Sequence, residues 1–148
     1  MSPVQPAGRA AIMVRRRVEW SDTDAAGHYH HSAVIRWVEA AEAALYRALG
    51  CESLFGVIPR IHYDVRYSAR LWFGDVVEVH LRVARVGRTS LTHAFDVLHD
   101  GVSAASGTVS VVHTPDSSAG SQPWPETLRH DFEEGGRQPV VEQDSFTI

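Results

Sequence analysis

Residues 31 to 49 read HSAVIRWVEAAEAALYRAL, and this stretch decides the fold. Val34, Val38, Ala41, Leu45 and Leu49 recur at steps of three and four, with Ile35 and Ala48 beside them. That spacing draws an apolar stripe along one side of a helix. Arg36, Glu39, Glu42 and Arg47 fall largely on other faces, and alanine, glutamate, leucine and arginine all favour helix. Gly50 follows where a helix commonly ends in a left-handed residue. Alanines at 40, 41, 43, 44 and 48 keep the helix slim enough to lie close against a sheet.

Working outward, everything else reads as extended chain. Residues 12 to 20, IMVRRRVEW, predict a strand that ends in Trp20, with one arginine stem of the triplet turned inward and two heads solvated. After the helix come residues 56 to 69, where Pro59 marks an edge or a strand start. Residues 75 to 86 follow, with Val77, Val79, Leu81 and Val83 alternating against Glu78, His80 and Arg82. Residues 89 to 100 and 101 to 114 flank Asp100-Gly101, a strong hairpin signal. One strand, one long helix and then four successive antiparallel strands predict an α+β domain in which a single sheet wraps the helix. The expected divisions are a loose leader over residues 1 to 11, the domain over 12 to 130, and an acidic C-terminal tail over 131 to 148. The tail is expected to be disordered or to lie on a partner subunit.

The bulk composition narrows the function classes. A chain of 148 residues is most simply one domain, and 44% hydrophobic with 22% charged residues is ordinary for a globular protein. No apolar run approaches the length of a membrane-spanning helix, and no secretory signal is legible at the start. Cys51 is the only cysteine, so no internal disulfide forms and a cytoplasmic location is expected. Residues 131 to 148 carry Asp131, Glu133, Glu134, Glu142 and Asp144 against Arg137, which accounts for the whole net charge of -4. The remainder is close to neutral, which argues against nucleic-acid binding. With no lysine in the chain, Schiff-base chemistry is excluded. No nucleotide-binding glycine loop, G-x-S-x-G elbow or H-E-x-x-H pair occurs.

The densest chemistry is DTDAAGHYHH, residues 22 to 31, between the first strand and the long helix. The first N–H groups of a helix lack intrahelical partners, and that end of the helix dipole favours negative charge. A loop that delivers a carboxylate there can pair an attacking group with an oxyanion donor, the two requirements of acyl transfer. Gly27 lets the backbone turn tightly or approach a ligand. Two other readings compete. Asp22, Thr23 and Asp24 can cap turns, and for Asp22 that structural role is preferred. His28, His30 and His31 with Asp24 offer metal-ligand chemistry, but adjacent side chains diverge, so no metal is expected.

These residues also carry a resemblance. VEWSDTDAAGHYHHSAVIRWVEAAEAALYRALG resembles the signature segment of hotdog-fold acyl-CoA thioesterases of the 4-hydroxybenzoyl-CoA thioesterase and YbgC-like group. RYSARLWFGDVVEV, VGRTSLTHAFDV, GVSAASGTVSVVHT and PWPETLR fit the later segments, and the likeness spans residues 13 to 130. It implies a hotdog fold, hydrolysis of an acyl-CoA or acyl-carrier-protein thioester, no cofactor, and a homodimer or homotetramer with its active site at the subunit interface. The second acid of D-x-D, Asp24, is then the catalytic carboxylate, as nucleophile or general base. His31, seven positions later, offers its backbone N–H to the thioester carbonyl, and in YbgC-like members its side chain assists. Gly27 matches the family glycine. His28 and Tyr29 replace an aliphatic pair and so shape the acyl pocket, while Arg88 and Ser90 match a loop that contacts coenzyme A. Two alternatives stand beside this reading: a non-catalytic acyl-thioester-binding protein, and a hotdog hydratase or dehydratase, whose Asn-Pro segment is missing here.

Overall fold

The computed structural model describes residues 8 to 143. Six strands form one sheet: β1 Ala11–Arg17, β2 Arg60–Tyr67, β3 Val76–Val86, β4 Ser90–His99, β5 Val102–Val112 and β6 Val141–Gln143. Their order is β2-β5-β4-β3-β1-β6, antiparallel throughout except for the parallel β1–β6 pair. Helix α1, His31–Ala48, lies across the concave face, and a short helix α2, Glu126–Glu134, packs beside β3. The hotdog architecture is therefore present, a central helix wrapped by one curved sheet.

The helix forms where the apolar stripe predicts it. Val34, Trp37, Val38, Ala41 and Leu45 are fully buried against inward residues of the sheet, among them Val14, Val77, Val79 and Val97. Gly50, at φ 72°, ends it. Register shifts at Arg60/His62, Val83/Arg85 and Val97/Leu98 bend the strands around the helix, as bulges do. At the β4–β5 turn both Asp100 and Gly101 have positive φ (49° and 77°), the conformation the Asp-Gly pair predicts. The arginine triplet divides as expected: Arg16 turns inward with its guanidinium 5.7 Å from the Trp37 ring, while Arg15 pairs with Glu78 and Glu142.

At both ends the described chain packs beyond the expected domain boundaries. The leader ends sooner, because Ala10 is buried and its N–H donates to the Phe132 carbonyl at 2.9 Å. Residues 1 to 7 lie outside the described part. Over residues 131 to 143 the acidic segment packs on its own chain. Phe132, fully buried and edge-on to Trp124 at 5.1 Å, anchors α2, and β6 extends the sheet beside β1. Residues 144 to 148 lie outside the described part. The physical reason is that one aromatic anchor and three ladder residues suffice to dock a polar segment onto an existing sheet edge. Among the described residues, no helix is long and apolar enough to cross a membrane.

Candidate active site

The loop between β1 and α1 is a small hairpin that carries its own catalytic candidate. Asp24 N–H donates to the His28 carbonyl at 2.9 Å, and Gly27 N–H returns to the Asp24 carbonyl at 3.0 Å. Gly27 sits at φ 91°, where an L side chain is strained, and a Cβ there would reach the Trp72 ring at 3.6 Å. The Asp24 carboxylate accepts the Ala26 N–H at 2.8 Å through Oδ1, leaving Oδ2 towards His28 Nδ1 at 3.9 Å. A backbone-held carboxylate of this kind keeps its direction while one oxygen stays available.

Asp22 takes the structural role. It is buried, its Oδ2 accepts the Glu19 N–H at 2.8 Å, its Oδ1 pairs with Arg36 at 3.1 Å, and its carbonyl accepts the His30 N–H at 2.6 Å. Through these bonds the loop is fastened to the first turns of α1. The histidines do not all diverge as expected: the His30 and His31 rings lie together with centroids 4.0 Å apart, while His28 stands apart from them. His28 stands edge-on to Trp72, with ring centroids 5.9 Å apart. His30 is the N-cap of α1, and its Nδ1 accepts the Ser32 N–H at 3.1 Å, which requires the tautomer protonated at Nε2. His31 is the first helical residue and faces solvent at the cleft. Among the described residues no three histidine, cysteine or acidic side chains converge on a common point.

Asp24, His28, Tyr29 and His31 line one cleft of about 400 Å³, closed on its other side by Tyr67, Ser68, Ala69 and Arg70. Tyr29 is a core residue showing an edge to the cleft. Its ring stacks on Trp37 at 6.0 Å, and its hydroxyl donates to the carbonyls of Ala69 at 3.0 Å and Ala104 at 3.3 Å. Burial pushes this phenol up to about 12, so it remains a donor across the physiological range. Tyr67 tilts against Tyr29 at 5.9 Å. The wall from Tyr67 to Arg70 was not picked out as site residues by sequence reasoning; its only signal was membership of the RYSARLWFGD segment.

Arg88 and Ser90 are not brought to this cleft within one chain. The Asp24 loop sits at the Val76 end of β3, where Val18 N–H donates to the Asp75 carbonyl at 2.8 Å. The turn at residues 87 to 89 lies at the other end of that eleven-residue strand, roughly 35 Å away at about 3.3 Å per residue. Trp124 pins the turn, its Nε1–H donating to the Ser90 carbonyl at 2.8 Å and its N–H to the Arg88 carbonyl at 3.1 Å, while the Arg88 side chain is exposed.

A carboxylate and the first residue of the long helix thus line one cleft. A family model described as the thioesterase-like superfamily matches residues 18–132. The 1,4-dihydroxy-2-naphthoyl-CoA hydrolase of Synechococcus elongatus is 27% identical over 129 residues, 81% of this chain and 93% of that protein. A predicted thioesterase from Bacillus stearothermophilus superposes with a TM-score of 0.77 at 26% identity, over 87% of this chain and 98% of its own. A thioesterase from Thermus thermophilus, solved with coenzyme A and Zn, gives 0.75 at 26% identity, over 82% and 90%. The matched segment takes in the Asp24 loop, the central helix and the cleft wall, and extends to the Phe132 anchor: this chain belongs to the thioesterase-like superfamily.

Proposed function

We propose that this protein is an acyl-CoA thioesterase whose chemistry centres on Asp24 and the N-terminus of α1. The observation that carries the reading is the shared cleft, lined by the Asp24 carboxylate and by His31, the first residue of the helix. A thioester carbonyl seated between them would place its oxygen toward the His31 N–H, one of the helix donors without an intrahelical acceptor. Asp24 would attack the carbonyl carbon or take a proton from the water that does. Collapse of the tetrahedral intermediate breaks the C–S bond and releases the thiolate; with water as the attacker this leaves the free acid directly, and with Asp24 as the attacker it leaves an acyl anhydride on Asp24 that a water then hydrolyses to the free acid. The His31 side chain at the mouth of the cleft is available to assist. Gly27 allows the loop to turn, and His28 and Tyr29 shape the acyl side.

The aromatic lining from Tyr29 and Tyr67, with the naphthoyl substrate named for the Synechococcus relative, supports aromatic acyl groups as the first class to try. An acyl-carrier-protein thioester is the second donor. The open edge of β2, where Ile61 is exposed, supports a homodimer or homotetramer. In such an assembly Arg88 and Ser90 would reach a neighbour's site and bind coenzyme A phosphates there. We place the protein in the cytoplasm.

The test is thiol release from aromatic, short and long acyl-CoAs by the native chain and by Asp24→Asn. Loss of a positioned acid/base or nucleophile is expected to lower kcat by about 10²–10⁴. Equal activity in both proteins refutes the role of Asp24. No turnover on any CoA or carrier-protein thioester favours the non-catalytic binding reading.

A further inference from the structure

The first turn of α1 is held from two directions. From the loop side, Asp22 accepts the His30 N–H and pairs with Arg36, which itself donates to the Ser32 carbonyl at 3.2 Å. From the opposite side, the Tyr67 hydroxyl at the end of β2 donates to the His31 carbonyl at 2.6 Å. That carbonyl already accepts the regular helical bond from four residues on, so the fold does not need Tyr67 to satisfy it. Nor does Tyr67 gain much by burial, since the residue is 42% exposed and water can replace its acceptor. The helix is anchored along its length by Val34, Trp37, Val38, Ala41 and Leu45 without this bond. A short hydrogen bond to a carbonyl already satisfied within the helix, placed at a residue that lines the cleft, calls for another explanation.

We propose that Tyr67 is a positioning residue: by clamping the His31 carbonyl across the cleft, it fixes the direction of the first-turn N–H groups that receive the developing oxyanion. This inference rests on the thioesterase reading of the same cleft. Helix ends fray, and a donor displaced by about 1 Å from its working position can lose as much as a hundredfold in rate. The clamp comes from β2, a separate segment from the loop that carries Asp24. The donor end of the helix is thus held by β2 as well as by the loop that carries Asp24. Tyr67 also faces Tyr29 at 5.9 Å, so its ring remains in place as cleft wall when only the hydroxyl is removed.

The experiment is Tyr67→Phe, which keeps the ring and deletes the donor. With the best acyl-CoA from the panel, kcat is expected to fall about tenfold while KM and product inhibition by free coenzyme A stay within twofold. Amide exchange is expected to quicken at residues 31 to 34 and to stay unchanged at Trp37 to Leu45. A kcat within twofold of the native value overturns the proposal, as does a loss carried wholly by KM. Faster exchange along the entire helix also overturns it, since that marks a general structural role. If the native chain hydrolyses no thioester, the thioesterase reading fails and the positioning role fails with it; if the native chain turns over and Tyr67→Phe matches it, only the positioning role fails.

Discussion

Helix α1 carries one acid that should cost more than any other to leave unpaired. Glu42, with its side chain 4% exposed, is bound by Arg60 Nη1 at 2.7 Å and by the Tyr46 hydroxyl at 3.3 Å. Burial pushes the Glu42 carboxyl up, and the charge and hydrogen bond of Arg60 pull it part of the way back. In the substitution Arg60→Ala the carboxylate keeps its burial and loses its cation. Breaking a fully buried pair costs about 3–5 kcal/mol, and because the Arg60 side chain is 30% exposed we take the low end, about 3 kcal/mol at pH 8. The pH dependence has a definite sign. A carboxyl whose folded pKa lies above its unfolded value binds more protons in the folded state, so stability falls as pH rises through the interval between the two values. Removing Arg60 raises the folded value further and widens that interval upward. The deficit of Arg60→Ala should therefore be largest at pH 8 and shrink at pH 5. Urea denaturation at both pH values, at one fixed protein concentration, measures it. A loss under about 1 kcal/mol at pH 8, or an equal loss at the two pH values, would refute the reasoning. Adding Glu42→Gln to Arg60→Ala should restore most of the difference, because the group that remains buried is then neutral.

Two further expectations follow from packing. Phe132→Ala should cost about 3–5 kcal/mol in urea denaturation, since it empties the anchor under α2 and frees β6; a cost under about 1 kcal/mol would mean that the C-terminal segment is not part of the folded unit. Cys51 is buried, and burial together with the nearby Asp131 carboxylate pushes its thiol up to about 11. Iodoacetamide at pH 8 should label it at least a hundredfold faster in urea-unfolded than in native protein, and rapid labelling of the native chain would contradict its place in the core.

The reach of the local pattern can be judged residue by residue. The stripe from Val34 to Leu45, the alternation from Val77 to Val83 and the Asp100-Gly101 turn each settle their own geometry, because side-chain period and left-handed turn residues act within a few positions. From them came the α+β class and the wrapped helix. Trp20 opens a 3-10 turn rather than closing a strand, and α2 is not legible in the sequence, because only two of its nine residues, Leu128 and Phe132, are apolar and pack against the body.

Asp24, Gly27 and His31 were legible as a group because they share one loop and the helix it enters. Tyr67 and Arg70 were not, since their place opposite Asp24 depends on β2 pairing with β5 and on the sheet curving round α1. The Glu42–Arg60 pair and the His93 contact with Tyr46 at 2.8 Å were likewise invisible, as each joins residues distant in the chain. The amino-acid sequence alone determined the long helix, the five longer strands and which loop carries the carboxylate, through interactions of short range. Only the tertiary structure decided what faces that carboxylate, because closure of the sheet around the helix, and not any local preference, brings the two walls of the cleft together.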